Sequence, residues 1–250
     1  MAPLVFDMGT GARGLGMSLL GSPGRELDLL FSHFHMDHVF GFPFFVPIYV
    51  PGYKVRITVP GYSVEEAREK LSRYLNGMFH PTRLRDLPSE VSFSVVRPGA
   101  PFERGGYLLE GLQLNHPGGA MGYTVQADGV KLAYITDTAP FARPGEGLLA
   151  GEGPTPREEA LVRFLSGCDT VIFDTMYEQA AYLERMTWGH SFPEYAVAVA
   201  QAAGVHELVL FHHAPEADDD QLDARADYWR GHTAPRVIVA REGATMTVEG

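Results

Sequence analysis

Residues 33–38, in the segment Ser32-His33-Phe34-His35-Met36-Asp37-His38, carry three imidazoles and one carboxylate within six positions. These ligand types suit Zn²⁺, and ligand type alone also allows Fe or Mn. Cys168 is the only cysteine, so a metal here must be held by histidine and carboxylate groups. Residues 27–31, apolar except for Asp28, precede the segment. The pattern therefore predicts a divalent-metal site at the end of a strand.

Short runs rich in branched and aromatic residues, separated by glycine and proline, predict strands in both halves of the chain. The predicted strands are residues 4–6, 27–31, 54–59, 91–96, 122–126, 131–136, 170–173, 207–211, 236–240 and 245–248. Three helices are predicted to begin after Ser63, Thr155 and Ser191, each followed three positions later by glutamate. A fourth helix is predicted over residues 218–230, with a solvated acidic start.

The order of these elements predicts an α/β fold of two sheets packed face to face with helices outside, because strands dominate the first half and alternate with helices in the second. A length of 250 residues suffices for one core, so a single domain over residues 1–250 is predicted. The Gly- and Pro-rich stretches 40–53 and 139–154 are predicted to be long loops, either substrate walls or plain surface excursions.

The charge balance limits the partners that this chain can bind. The formal net charge is −11, from 20 Lys+Arg against 31 Asp+Glu, so the overall field repels polyanions. We therefore expect a small-molecule substrate and no long nucleic acid. The sequence contains neither a long apolar span nor a secretory-signal pattern, so we expect a cytoplasmic protein with no membrane partner.

Five motifs, in chain order, resemble those of the metallo-β-lactamase superfamily. The first is Phe6-Asp7-Met8-Gly9-Thr10-Gly11 and the second is the histidine-rich segment at residues 33–38. The others are Leu114-Asn115-His116-Pro117-Gly118-Gly119, Tyr134-Ile135-Thr136-Asp137-Thr138 and Leu210-Phe211-His212-His213-Ala214-Pro215. The resemblance covers nearly the whole chain and implies a four-layer αββα sandwich, with two mixed β-sheets flanked by helices.

This resemblance implies two divalent metal ions, with Zn²⁺ as the first choice and Mn²⁺ or Fe²⁺ as alternatives. The implied ligands are His33, His35 and His116 for one metal, Asp37, His38 and His212 for the second, and Asp137 as the bridge. His213 competes with His212 for the last role. The spacing to Pro215 resembles the ribonuclease Z pattern and favours His212, while Asp7 is expected to orient the site rather than bind metal.

Two metal ions so placed imply hydrolysis by a metal-bridging hydroxide, with Asp37 taking part in catalysis. Asp174 and His190 resemble the phosphate-handling pair of ribonuclease Z and related cyclic-phosphate phosphodiesterases. His190 is expected to contact the phosphate or protonate the leaving alkoxide, with Asp174 orienting its ring. The alternative is that His190 merely fixes a loop to a helix. The predicted cap by Ser191 and Glu194 would place His190 beside free backbone N–H groups, where an anion binds well.

Only three lysines occur, and no basic glycine-rich arm is evident, which departs from the ribonuclease Z pattern and argues against transfer RNA. A small phosphodiester, cyclic nucleotides included, is the preferred substrate class. The aromatic residues within 40–49 either stack a base or belong to the core. Other hypotheses are an ester, lactone or thioester hydrolase, a non-catalytic metal-binding or sensory protein, and a di-iron oxidoreductase. The short lead-in before the first strand predicts an exposed sheet edge and hence a homodimer.

Overall fold

Two β-sheets and their flanking helices make up residues 1–61 and 63–248, the parts of the chain that this computed structural model describes. The predicted α/β class, with two sheets flanked by helices, is confirmed. The chain divides into two units, Met1–Leu108 and Leu109–Gly250. The single domain over residues 1–250 stays a prediction.

The sheet of the first unit is parallel throughout. Its strands, in spatial order, are β1 (Leu4–Phe6), β2 (Glu26–Leu30), β3 (Lys54–Pro60) and β4 (Glu90–Val96). All three neighbouring pairs are parallel, so the expectation of a mixed sheet does not hold for this unit. The reason is topological, because each connection is long and carries helical turns instead of a tight hairpin.

Those connections contain α1 (Ala12–Leu19), α2 (Met36–Val39), α3 (Val64–Ser72) and the 3₁₀ turns Phe42–Phe44, Val46–Tyr49 and Leu84–Asp86, and a short strand β5 (Phe102–Arg104) follows β4. Ser63 caps α3 as predicted, since its hydroxyl accepts a hydrogen bond from the N–H of Glu66 at 3.1 Å. The stretch 40–53 folds into two of the 3₁₀ turns. Phe42 and Phe45 there are fully buried in the core, whereas Phe40 and Phe44 are 47% and 49% exposed, so of these four rings only those of Phe40 and Phe44 could meet a ligand.

The second unit contains a mixed sheet, as predicted. Its strands, in chain order, are β6 (Tyr107–Gln113), β7 (Met121–Ala127), β8 (Val130–Ile135), β9 (Thr170–Asp174), β10 (Glu207–Phe211) and β11 (Arg236–Val239). They lie in the order β11-β10-β9-β8-β7-β6. β7 and β8 form an antiparallel hairpin, whose two-residue turn has positive φ angles at Asp128 and Gly129. The pairs from β8 to β11 are parallel.

The helices of this unit are α4 (Gly147–Ala150), α5 (Pro156–Leu165), α6 (Gln179–Glu184), α7 (Pro193–Ala203) and α8 (Asp219–Trp229). The predicted cap of α5 by Thr155 is confirmed as a capping box, and Asp218 caps the predicted fourth helix in the same way. The predicted cap of α7 by Ser191 is wrong. Pro193 takes the first helical position, which its fixed φ suits, so the cap falls on Phe192, one residue beyond Ser191.

Three strands differ from the prediction. The predicted strand at residues 245–248 has no regular structure, and β5 and β6 were not predicted, because neither shows a strong alternating apolar pattern in sequence. Among the helices in residues 1–61 and 63–248, none is long and apolar enough to cross a membrane.

Candidate metal centre

The loop that follows β2, together with α2, brings together the four predicted ligands of the first unit. The ring centroid of His33 lies 4.5 Å from that of His35 and 4.2 Å from that of His38. Asp37 Oδ2 lies 3.4 Å from His38 Nε2. His33 and His38 are buried, at 2% and 4% exposure, while His35 and Asp37 are exposed. The loop and α2 therefore gather three imidazoles and a carboxylate, partly withdrawn from solvent.

Asp7, just after β1, orients this loop. Its backbone lies in the left-handed region, with φ of +55°. Its carboxylate accepts hydrogen bonds from the N–H of Ser32 at 2.7 Å, the hydroxyl of Ser32 at 2.8 Å and His38 Nδ1 at 2.8 Å. Because a carboxylate only accepts, His38 must carry its proton on Nδ1, which puts the lone pair on Nε2. This agrees with the orienting role expected of Asp7.

Ser32 fixes the tautomer of His33 in the same way. Its hydroxyl donates to Asp7, so it can only accept from His33 Nδ1, which lies 2.9 Å away. His33 therefore also carries its proton on Nδ1 and presents the lone pair on Nε2. The sequence motif did not single out Ser32. Its place directly before the first histidine was the available signal.

Three predicted ligands of the second unit also lie together. His116 follows β6, Asp137 follows β8 and His212 follows β10 with a φ of +57°. Asp137 Oδ2 lies 3.7 Å from His116 Nε2, and Asp137 Oδ1 lies 3.3 Å from His212 Nε2. His116 Nδ1 donates to the carbonyl of Gly189 at 2.9 Å, so its Nε2 carries the lone pair. A carboxylate flanked by two imidazoles is a donor arrangement suited to a bridging ligand.

This arrangement requires Gly189, which no sequence motif pointed to. Its φ is +89°, and a Cβ atom there would clash with His116 Nδ1 and Pro117 Cδ. Only glycine allows the backbone to approach His116 closely enough for its carbonyl to hold the ring.

The geometry separates His212 from its neighbour. His213 donates from Nε2 to the carbonyl of Ala240 at 3.0 Å, and its Nδ1 lies 3.2 Å from Arg225 Nη1, which can only donate. Burial lowers the pKa of His213, with Arg225 adding to the effect, so the ring is neutral as this pattern requires. Both ring nitrogens of His213 are therefore engaged, which leaves His212 as the candidate ligand.

Asp174 and His190 form a hydrogen-bonded pair beside these residues. Asp174, at the end of β9, is fully buried and accepts from His190 Nδ1 at 3.0 Å, Thr138 N at 2.9 Å and Met176 N at 3.0 Å. The ring of His190 stacks on that of His212, with centroids 5.0 Å apart and planes 16° apart. Asp174, His190 and His212 each offer a ligand atom within 4.8 Å of the others. The pair thus holds the His190 ring with Nε2 as its available edge.

A protein family matches this chain over most of its length. The family described as "Beta-lactamase superfamily domain" matches residues 4–213, which include all seven predicted ligands. The chain belongs to the metallo-β-lactamase superfamily.

Individual relatives of this superfamily member are distant. Ribonuclease BN of Escherichia coli O1:K1 / APEC is 22% identical to the chain, over 86% of it and 79% of the relative. Among solved structures, the metallo-β-lactamase fold protein YhfI from Bacillus subtilis has a TM-score of 0.66 at 18% identity, covering 96% of this chain and 85% of its own. The short form of human tRNase Z has a TM-score of 0.65 at 18% identity, covering 98% and 88%. At these identities the solved structures establish the fold alone.

The donor set of this superfamily member fits divalent metal ions. Each unit brings imidazoles and carboxylates together, and three of the imidazoles, His33, His38 and His116, are fixed with the lone pair on Nε2. Such fixing by a neighbouring carboxylate, hydroxyl or carbonyl is typical of metal-binding histidines. The donor set and the family together support a metal-binding hydrolase of the metallo-β-lactamase fold.

Proposed function

We propose that this protein is a dinuclear metal-dependent phosphodiesterase that hydrolyses a small phosphodiester, cyclic nucleotides included. The observation that carries the proposal is the Asp174–His190 pair, in which a buried carboxylate holds one nitrogen of an imidazole at 3.0 Å. The pair lies beside two candidate metal ligands, since the ring of His190 also contacts that of His116 edge-on, at 5.2 Å between centroids.

Seven residues would hold the metals. One metal would be held by His33, His35 and His116, the second by Asp37, His38 and His212, and Asp137 would bridge them. Two bound divalent ions would supply a nucleophilic hydroxide near neutral pH and stabilise negative charge on the phosphate. Asp37 doubles as a catalytic residue in this proposal, because its exposed carboxylate would face the substrate.

His190 supplies the proton that the leaving group needs. Hydrolysis joins the hydroxide oxygen to phosphorus and breaks the P–O bond to the leaving alkoxide. The imidazolium form of His190, which has an N–H on both ring nitrogens, donates its Nε2 proton to that alkoxide and becomes the neutral ring with its proton on Nδ1. Asp174 holds the ring so that Nε2 is the donating atom, because Nδ1 is already committed to the carboxylate. The ring stays in place because Thr138 and Met176 fix the carboxylate in turn.

The relatives and the charge of the chain support a phosphodiester of small size. The names of ribonuclease BN and tRNase Z place those proteins among enzymes that act on RNA, whose linkages are phosphodiesters. The net charge of −11 disfavours a long polyanion, so we propose a small molecule in place of RNA. A cytoplasmic location and a homodimer remain predictions from the sequence.

The test compares bis(p-nitrophenyl) phosphate with a lactone and a thioester, using protein of measured metal content supplied with Zn²⁺, Mn²⁺ or Fe²⁺. We expect turnover of the phosphodiester only. His190→Ala should lower kcat on it by about 10²–10⁴-fold with metal content unchanged, as loss of a general acid does. His206→Ala is the matched control, because the His206 side chain is 80% exposed. Turnover confined to the acyl substrates, or full activity in His190→Ala, would overturn the proposal.

A further inference from the structure

The second unit contains a large cavity that the metal ligands do not use. Its volume is about 1110 Å³, enough for a molecule of nucleotide size. We call it the side cavity. The lining residues that the inference uses are Tyr177, Trp188, His190, Glu194, Tyr228 and Trp229. His190 lines this cavity, so a phosphate attached to a group bound there would lie close to His190.

The walls of the side cavity are aromatic. Tyr177 and Trp229 are buried, at 8% and 9% exposure, whereas Trp188 and Tyr228 are 62% and 75% exposed. Large aromatic side chains left in water beside a cavity are typical of binding sites for flat, apolar-faced groups. Aromatic rings stack on nucleobases with little dependence on which base is present. The cavity therefore suits a planar heterocycle.

The charges in the cavity argue against a second phosphate. Arg225, which also lines it, is engaged by Glu178 and by the carbonyl of Thr175. Arg185 lies over the ring of Tyr177, 5.8 Å from its centroid, and pairs with Glu184. With both cations engaged, a further anion would meet no uncommitted positive charge on this wall.

Two carboxylates that line the cavity, those of Glu194 and Glu216, are not engaged by these arginines. Within residues 1–61 and 63–248, neither Glu194 nor Glu216 forms an ion pair. A wall with such carboxylates favours a ligand that donates N–H groups.

Glu194 is the carboxylate that we expect to accept the ligand's N–H group. It lies in the first turn of α7, four residues after His190, where the helix dipole favours a negative charge. The dipole does not account for its Oε2 atom, which is buried and accepts no hydrogen bond from any residue that the structure describes. Buried acceptors are normally satisfied, so an N–H donor from a ligand would complete this one.

We infer that the side cavity binds the nucleoside part of the phosphodiester, with an amino-bearing base lying against the aromatic side chains and donating its exocyclic N–H to Glu194. The inference rests on the proposed function and names its substrate class. It makes Glu194 a specificity residue that favours bases with an amino group.

The binding test uses the two tryptophans of the sequence, Trp188 and Trp229, which both line the side cavity. Their fluorescence is followed during titration with adenosine and with purine riboside, which lacks only the amino group. We expect adenosine to bind about tenfold more tightly, as a hydrogen bond to a charged acceptor gives. Glu194→Met should abolish this difference. Glu65→Met, which removes a first-turn acid from α3, is the matched control and should preserve it.

The kinetic test separates this inference from the proposed function. Glu194→Met should lose the preference for cyclic adenosine phosphates over those of purine riboside, measured as the ratio of kcat/KM for the two substrates, whereas Glu65→Met should keep that ratio. Absence of any phosphodiester turnover would refute the proposed function. The fluorescence titration would still test whether the side cavity binds nucleosides. Equal binding of the two nucleosides by the wild type, no binding of either, or an adenosine preference that survives in Glu194→Met would overturn the inference.

Discussion

Asp7→Asn should weaken metal binding at His38 while leaving the fold of the first unit intact. Asp7 accepts three hydrogen bonds, from two atoms of Ser32 and from His38 Nδ1, all within 2.7–2.8 Å. An asparagine keeps one acceptor oxygen, but its NH₂ group would face His38 Nδ1. His38 can then remain hydrogen-bonded only by accepting at Nδ1, which moves its proton to Nε2. The substitution thus turns the candidate metal-binding atom into a donor.

The size of the effect follows from that change of tautomer. Loss of the partner that orients a metal-binding histidine typically costs about 10–100-fold in metal affinity, which is about 1.4–2.8 kcal/mol. Stability of the metal-free protein should fall by about 1–3 kcal/mol, because hydrogen bonds to a carboxylate are replaced by weaker neutral ones. Asparagine is the right substitution because it tolerates the left-handed backbone at φ of +55°.

Competition with a chelator measures the metal affinity, and denaturant unfolding in excess chelator measures the stability of the metal-free protein. Asp128→Asn is the matched control, because Asp128 also has a positive φ, +51°, and lies exposed in the hairpin turn. It should leave both quantities unchanged. Wild-type metal affinity in a folded Asp7→Asn protein would refute the argument that Asp7 sets the His38 tautomer.

Three other outcomes are expected. His116→Ala and Asp137→Ala should each abolish turnover and reduce metal content while the far-UV circular dichroism spectrum stays the same; retention of both metals would contradict the ligand assignment. Gly189→Ala should lower the free energy of unfolding by about 2–4 kcal/mol, measured by denaturant titration, because its Cβ would clash with His116 and Pro117 at a positive φ; unchanged stability would show that the loop adapts. Burial raises the pKa of the Cys168 thiol to about 11, and Cys168 is 2% exposed, so a disulfide reagent at pH 8 should label the protein only as it unfolds; rapid labelling of the native protein would contradict this.

Much of the fold could be predicted because its signals are local. The strand at Glu207–Phe211 and the capped helices α5 and α8 are specified by residues within a few positions of one another. The cap of α7 failed because Pro193 moved the helix start by one residue, and two different principles of helix initiation competed there. β6 escaped prediction because a glutamate and a glycine interrupt its apolar pattern.

The candidate site could likewise be predicted only in part. The histidines and aspartates could be proposed from motif spacing, but the groups that hold them could not. The bond from Ser32 to Asp7 joins residues 25 positions apart, and the bond from His116 to Gly189 joins residues 73 positions apart. Likewise, Arg225 reaches His213 from a helix that sequence reasoning gave no role at the site. Such contacts depend on the folded chain, so no local pattern reveals them.

The parallel sheet of the first unit has a consequence for how its histidine-rich loop forms during folding. Each of its pairings joins distant segments, as Leu4 with Asp28, Glu26 with Lys54 and Lys54 with Glu90 show. Without a hairpin among these strands, every pairing must close a long loop before it gains any hydrogen bonds, which slows folding. On a growing nascent chain, β2 would therefore stay without its β3 neighbour until the ribosome had released residue 60, well after the histidines themselves had emerged.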